Sequence, residues 1–244
     1  MTLPSRRVLP ASAAPDAPGY RVESPWPGVV LGLTAGDDVD MRSKRAPNED
    51  SLAALRFEHS RIGIVGDAHF GPASSELAVD LLARSLKVAP ADEHALLAVV
   101  EAAALRVEKD ELTIGRSETT LLTVMLEGRT LRWVSVGDSL LFAVQASGAM
   151  RLLSRPAAVY VGRPGVAAAL PFDAGVVELA EGEWALLATD GIEPDSSGMD
   201  LSEVGACLRG AVDAEAGVAE LLARAGAADE GGGGDNLAVV VLHP

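Results

Sequence analysis

Two periodicities in the apolar positions of the chain predict an α+β fold. Short runs rich in valine, leucine and isoleucine predict strands at 28–36, 51–57, 61–67, 120–126, 131–137, 140–146 and 150–154, two more within 176–191, and a last one at 236–242. Apolar residues spaced by three to five predict helices at about 74–87 and 92–112 and a helical region at about 201–227. Antiparallel strand runs with grouped helices favour layered sheets over a parallel βαβ core.

The N-terminal segment interrupts this pattern. Residues 1–27 contain six prolines and no continuous apolar stretch, so we expect a flexible Pro/Ala-rich tail and no signal peptide. Residues 28–244 then form one domain, without an internal repeat. The longest apolar stretch, which begins at His94, is interrupted by Glu101 and is too short to span a membrane.

Charge and cysteine content narrow the classes of function and the cellular compartment that we expect. The 20 lysines and arginines against 35 aspartates and glutamates give a net charge of -15, which argues against nucleic-acid binding because phosphates require basic partners. Most of this charge is expected on a solvated surface. The single cysteine, Cys207, excludes an intrachain disulfide and is expected to be a small buried apolar residue, which fits a cytoplasmic protein. We also expect a monomer.

Five aspartates lie at predicted strand ends, each within two residues of a glycine or an asparagine: Asp50, Asp67, Asp138, Asp190 and Asp235. Any one of them could simply form a turn, since Asp-Gly is a common turn pair. Their repeated placement instead suggests that the carboxylates converge, which costs free energy unless a cation neutralises them. Hard divalent ions such as Mn²⁺ or Mg²⁺ suit these oxygen ligands. The histidines show no zinc-ligand spacing and no Cys-x-x-Cys occurs.

The ordered motifs RAPNED, VGDAHFG, ETTLLTVML, WVSVGDSLLF, LLATDGI and GDNLAVVVL resemble those of the PP2C-type (PPM) metal-dependent serine/threonine protein phosphatases. The resemblance covers about residues 28–242, and it depends on the order of the motifs, because no single one is decisive. It implies a four-layer α-β-β-α sandwich of two mainly antiparallel sheets flanked by helix pairs. It also implies a cleft with two divalent cations, Mn²⁺ or Mg²⁺, at one edge of the sheets.

The resemblance assigns roles to particular residues. Asp67 would bridge the metals, the Ala68 carbonyl would be a backbone ligand, and Asp190 and Asp235 would complete the set. Glu49 and Asp50 would hold metal-bound waters, and Asp138 would serve a weaker third metal. Arg45 would grip the substrate phosphate.

The implied reaction is hydrolysis of phosphoserine or phosphothreonine by a metal-bridging hydroxide. His69 could protonate the leaving alkoxide, because an imidazole titrates near neutral pH. Alternatively, His69 is a turn residue that packs against the following helix, and Arg45 is a solvated loop charge beside Lys44.

Departures from the family pattern leave the substrate open. Ala68 replaces the usual glycine after the bridging aspartate, which would be strained if the site needs a positive φ. Phe70 stands where glycine is common, and could shape the cleft wall. The region 154–176 is short where relatives carry a flap, and Arg163 in it could contact phosphate or peptide. The enzyme could act broadly on phosphoproteins or on one partner of a signalling switch. The alternative is a catalytically silent PP2C-like binding module in a signalling complex.

Overall fold

Two antiparallel sheets form the centre of the molecule. The computed structural model describes residues 3–14, 19–35, 46, 48–110, 116–163, 171–226 and 235–244. In chain order, the strands of these residues are β1 Ser5–Leu9, β2 Tyr20–Trp26, β3 Val29–Thr34, β4 Ser51–Arg56, β5 Ser60–Gly66, β6 Ala68–His69, β7 Glu118–Thr119, β8 Leu121–Glu127, β9 Thr130–Val136, β10 Leu140–Val144, β11 Met150–Leu152, β12 Asp173–Glu178, β13 Trp184–Ala188 and β14 Leu237–Leu242. The helices are α1 Ala73–Ser85, α2 Glu93–Glu108, α3 Pro194–Ser197, α4 Leu201–Gly210 and α5 Ala214–Gly226.

Each large sheet has six strands. The first has the order β1-β4-β5-β8-β9-β12 and the second β11-β10-β13-β14-β3-β2, while β6 and β7 form a small separate ribbon. Every pair of neighbouring strands is antiparallel. The predicted α+β class is therefore confirmed.

Three apolar clusters separate four layers. One cluster joins α1 and α2 to the first sheet, the second fills the space between the sheets, and the third joins α4 and α5 to the second sheet. The contacts of strand β14 explain why its sequence is apolar at every position. Its residues Leu237, Val239 and Val241 face the helices, and Ala238, Val240 and Leu242 face the other sheet. A strand covered on both faces needs apolar residues at every position.

Helix boundaries follow local capping. Helix α2 begins after Asp92, whose side chain accepts a hydrogen bond from the Ala95 amide. The helical region predicted for 201–227 consists of two helices. The break comes before Asp213, whose carboxylate accepts a hydrogen bond from the Ala216 amide at 2.8 Å and so caps α5. Within the described ranges, no helix is long and apolar enough to cross a membrane.

Much of the segment expected to be a flexible tail belongs to the sheets, and the predicted boundary at residue 28 is corrected accordingly. Strand β1 pairs with β4, and β2 pairs with β3, each at the edge of its sheet. Pro4 and Pro10 flank β1, and Pro25 lies where the β2 register shifts between Glu23 and Trp26. Proline cannot donate to a ladder, but edge positions and irregularities tolerate it. The proline content therefore marked edge strands, not disorder.

An arginine–glutamate cluster links these two edge strands across the sheets. Arg7 of β1 forms a two-point ion pair with Glu23 of β2, and Arg21 also donates to Glu23 at 2.7 Å. Glu23 retains 20% side-chain exposure. Arg7 first, and then Arg21, hold the pKa of the Glu23 carboxyl below its ordinary value of 4.5.

The cluster should make stability depend on pH. A carboxyl group whose folded-state pKa is lowered stabilises the protein above its unfolded pKa and loses that contribution as the pH falls through the folded value. We expect Glu23→Gln to lower the melting temperature at about pH 7, where the native carboxylate is charged. The difference from wild type should shrink as the pH falls below 4.5. Thermal melts at several pH values test this, and a difference that is independent of pH would contradict it.

Candidate active site

Strand register in the first sheet brings several predicted residues to one edge. Gly66, the last residue of β5, pairs with Ser51, the first residue of β4. Glu49 and Asp50 therefore enter the sheet beside the point where Asp67 leaves it. On the neighbouring strands, the start of β8 pairs with the end of β9, which places Asp138 at the same edge.

The second sheet presents its residues at the matching edge. Leu140 at the start of β10 pairs with Ala188 at the end of β13. Asp138 lies two residues before β10 and Asp190 two residues after β13, so both lie at this edge. Asp235 leads into β14, whose first residue pairs with the last residue of β3. The same end of both sheets thus carries all five predicted aspartates.

Three carboxylates come together there. Oxygen atoms of Asp67, Asp138 and Asp190 all lie within 4.8 Å of one another. Asp67 is buried, and the other two are half-buried. Burial raises the pKa of the Asp138 carboxyl, and the negative charge of Asp190 raises it further. Carboxylates held this close repel one another unless a proton or a cation neutralises them.

Asp50 is attached to the second sheet through Thr189. The Thr189 hydroxyl donates to Asp50 Oδ2 at 2.7 Å and accepts from the Ala238 amide at 2.9 Å. Glu49 is buried beside it and accepts from the Ala46 amide at 3.1 Å, while its backbone carbonyl accepts from Ser75 Oγ at 2.6 Å. Hydrogen bonds therefore attach Asp50 to the second sheet and hold Glu49 in the loop beside it.

The N-terminal segment supports this corner of the site. Asn48 Nδ2 donates to the carbonyl of Ala11 at 2.9 Å, and the Ala11 amide donates to Ser51 Oγ at 3.1 Å. Asn48 Oδ1 also accepts from the Asp50 amide at 3.2 Å. Ala11 therefore contributes to holding the acidic loop, a role that the expectation of a free tail missed.

Two threonines hold the backbone at Asp67. The Thr120 hydroxyl accepts from the Asp67 amide at 2.9 Å, and the Thr119 hydroxyl donates to the Asp67 carbonyl at 2.9 Å. Ala68 is fully buried and continues into β6 opposite Thr119. Ala68 does not have a positive φ; among the described non-glycine residues only Phe70 does, at 66°. The strain considered for Ala68 therefore falls on Phe70, whose side chain is 40% exposed beside the site.

His69 lies at the side of the cluster. Its ring is half-buried and makes an edge contact with Tyr160, with ring centroids 4.8 Å apart. Its Nδ1 atom is buried and has no hydrogen-bond partner in the described part of the chain. His69, which lies in β6, thus also contacts the loop that carries Tyr160.

The remaining predicted residues do not belong to the group of three carboxylates. Asp235 is half-buried and accepts a hydrogen bond from the Asn236 amide at 2.7 Å, but it is not one of the three clustered carboxylates. Arg45 lies outside the described residues. Arg163, considered as a phosphate contact, pairs with Glu118, and one of the two hydrogen bonds measures 2.7 Å.

Three residues near the cluster were not assigned roles from the sequence. Tyr160 donates its hydroxyl to Asp138 Oδ2 at 2.7 Å. Burial and that carboxylate raise the pKa of Tyr160, so the hydroxyl remains a donor. Burial and then the charges of Asp190 and Asp138 raise the pKa of Glu193. Thr189 precedes Asp190 in the motif ATDG, and Tyr160 begins YVGRPG, but neither residue type alone signals a role.

The residues present fit a divalent cation. The cluster offers carboxylate oxygens, which are the hard ligands that Mg²⁺ and Mn²⁺ prefer. Asp138 Oδ1 is buried, and no described residue donates a hydrogen bond to it. A buried acceptor without a donor is costly, and a cation would satisfy it. The chemistry of this group is therefore that of a divalent-cation site.

Comparison with known proteins places the chain in a family. The family model described as "Stage II sporulation protein E (SpoIIE)" matches residues 72–244. A comparison with curated proteins gave no match.

Solved structures show the same fold. The PPM Ser-Thr phosphatase MsPP from Mycobacterium smegmatis, solved in complex with cacodylate, is 23% identical, with a TM-score of 0.65 over 88% of this chain and 97% of its own. The serine/threonine phosphatase of S. agalactiae is 18% identical, with a TM-score of 0.68 over 88% and 99% of the two chains. RsbX, solved with magnesium, is 16% identical, with a TM-score of 0.59 over 91% and 98%.

These likenesses confirm the fold that the PP2C-type motifs predicted. The family match covers well over half of the chain and includes Asp138, Asp190 and Asp235. The chain therefore belongs to the stage II sporulation protein E (SpoIIE) family and has the PPM phosphatase fold.

Proposed function

We propose that the protein is a metal-dependent phosphoprotein phosphatase that hydrolyses phosphoserine and phosphothreonine. The observation that carries this proposal is the group of Asp67, Asp138 and Asp190, with carboxylate oxygens within 4.8 Å at the shared edge of the sheets. The family and the phosphatase folds of the solved structures support it.

The ligand assignment combines this geometry with the resemblance. Asp67 and Asp190, with the Ala68 carbonyl and Asp235, would hold two divalent cations, Mn²⁺ or Mg²⁺. Asp138, Glu49 and Asp50 would support these ions or a third one. When bound, such ions lower the pKa of a coordinated water and supply the nucleophile that attacks phosphorus.

Side chains of the protein would bind the substrate phosphate and supply the proton for the leaving group. Nδ1 of His69 is buried, so Nε2 is the nitrogen that can donate a proton to the leaving serine or threonine oxygen. Arg45 would grip two phosphate oxygens through its planar guanidinium group. Direct attack by water requires no covalent phosphoenzyme.

The protein would act in the cytoplasm, as a monomer, in signalling. Its only cysteine, Cys207, is buried and forms no disulfide, which suits a reducing compartment. A phosphorylated protein is the partner that the chemistry requires, and it could be one dedicated partner or several.

Hydrolysis of p-nitrophenyl phosphate and of phosphoserine peptides, with Mn²⁺, Mg²⁺ or a chelator, tests the proposal. We expect turnover that depends on the added metal and that the chelator abolishes. A folded protein without turnover on either substrate, which still binds a phosphoprotein, would instead support the silent binding module. Turnover of the small substrate but of only one phosphoprotein would indicate a dedicated regulator.

A further inference from the structure

A short segment, Tyr160 to Arg163, crosses the site beside β7, and we call it the 160–163 strap. Val161 and Thr119 exchange two backbone hydrogen bonds, each 2.8 Å long. Gly162 has a φ of 103°, and a Cβ atom there would lie 2.8 Å from the Ser117 carbonyl oxygen. The strap is thus closely fitted to the strand that also holds the backbone of Asp67.

Side chains fix the strap at its outer end. Arg163 pairs with Glu118 through two hydrogen bonds, and its guanidinium carbon lies 5.2 Å from the centre of the Tyr160 ring. A bidentate pair fixes the orientation of the guanidinium group as well as its position. The Arg163 guanidinium therefore covers one side of the tyrosine.

Tyr160 then makes two contacts with the site. Its hydroxyl donates to Asp138 Oδ2 at 2.7 Å. Its ring meets that of His69 at an interplanar angle of 73°, with centroids 4.8 Å apart. One side chain therefore touches both a carboxylate of the acidic group and the candidate acid.

We propose that Tyr160 is a positioning residue for both groups. Its hydroxyl occupies one oxygen of Asp138 and leaves the buried Oδ1 available to a cation. Its ring limits the rotation of the His69 imidazole, so that the proton is presented at a fixed place. The Asp138 part concerns cation binding, whereas the His69 part rests on the proposed phosphatase function.

Two substitutions separate these contributions. Tyr160→Phe keeps the ring against His69 but removes the donor to Asp138. We expect about tenfold weaker Mn²⁺ binding in calorimetry, since loss of a residue that orients a metal ligand costs 10–100-fold. At saturating Mn²⁺, the kcat should fall by less than in a variant that also loses the ring, because the contact with His69 remains.

Tyr160→Leu removes both contacts. We expect the same weakening of Mn²⁺ binding and, in addition, about a tenfold lower kcat at saturating Mn²⁺, because His69 loses its support. Tyr20→Phe is the matched control, since Tyr20 is the other tyrosine of the chain and lies exposed on edge strand β2. It should change neither quantity.

The outcomes distinguish this inference from the proposed function. Unchanged Mn²⁺ affinity in Tyr160→Phe would overturn the role toward Asp138. Equal kcat values in the two variants would overturn the role toward His69. If wild type binds Mn²⁺ but shows no turnover, the phosphatase proposal and the His69 role fail, while the affinity comparison still decides the Asp138 role.

Discussion

Asp190→Asn should abolish metal-dependent phosphatase activity and yet leave a folded protein. Asp190 offers one of three carboxylate oxygens within 4.8 Å of one another. An amide has the same shape but no charge, so the site loses a third of the negative charge of this group. We expect a loss of at least about a hundredfold in kcat/KM, which corresponds to ~2.7 kcal/mol of transition-state stabilisation. Phosphate release in Mn²⁺ measures it.

The same substitution should have opposite effects on stability with and without metal. Without metal, it removes repulsion from Asp67 and Asp138, and we expect the melting temperature to rise by about 2–4 °C, or ~1 kcal/mol in a chain of this size. With Mn²⁺ at about 100 times its Kd, wild type should gain ~2.7 kcal/mol from binding. Asp190→Asn should lose most of that gain.

Asp80→Asn provides the control for both measurements. Asp80 lies on α1, partly exposed, and pairs with Arg84 at 2.8 Å, four residues along the helix. Such surface pairs contribute about 0.3–0.5 kcal/mol, so activity and the response to Mn²⁺ should match wild type. A lower metal-free melting temperature in Asp190→Asn would show that the aspartate serves the fold, which would contradict a repulsive cation site.

Gly191→Ala should damage both stability and activity. A Cβ atom on Gly191 would lie 2.2 Å from the backbone oxygen of Asn236 and 3.0 Å from its carbonyl carbon. Neither is a flexible side-chain end, so either the turn at Asp190 or the start of β14 must shift. We expect about 1–3 kcal/mol of destabilisation, as for other overpacked interiors. A displacement of about 1 Å at a catalytic group can lower activity about a hundredfold.

Gly210→Ala is the matched control for this steric argument. Gly210 is the last residue of α4, and a Cβ atom there would have nothing within 4 Å. Alanine in a helix is favoured over glycine by about 0.5–1 kcal/mol, so this variant should be as stable as wild type or slightly more stable. Equal melting temperatures and activities for Gly191→Ala and wild type would mean that the turn adapts without cost.

The strands and helices of the core were predictable because burial on both faces leaves a strong sequence signal. In β14, consecutive apolar residues reflect contact with helices on one side and a sheet on the other. The edge strands β1 and β2 carry little of that signal, since they are partly exposed and contain or adjoin prolines. Their position in the sheets depends on pairing with strands that are distant in sequence. Proline content alone does not reveal this pairing and instead predicts disorder.

At the site, the sequence indicated which aspartates lie at the same sheet edge. It did not indicate which of their carboxylates come closest together. Strand-end placement correctly brought Asp67, Asp138 and Asp190 to one edge. It could not show that Asp138 rather than Asp235 would complete the closest group, because that depends on side-chain direction. It also left Thr189 and Tyr160 unassigned, since a hydroxyl becomes informative only when its partner is known. Sequence alone also did not indicate the close approach of Asn236 to Gly191.

A calorimetric titration of the metal-free protein with Mn²⁺, for wild type and Asp67→Asn, tests the central claim most directly. The account predicts saturable binding by wild type and a much weaker response from Asp67→Asn, because Asp67 is the buried member of the acidic group. Absence of binding in a folded wild-type protein, or equal binding by the two proteins, would contradict the assignment of this group as the metal centre.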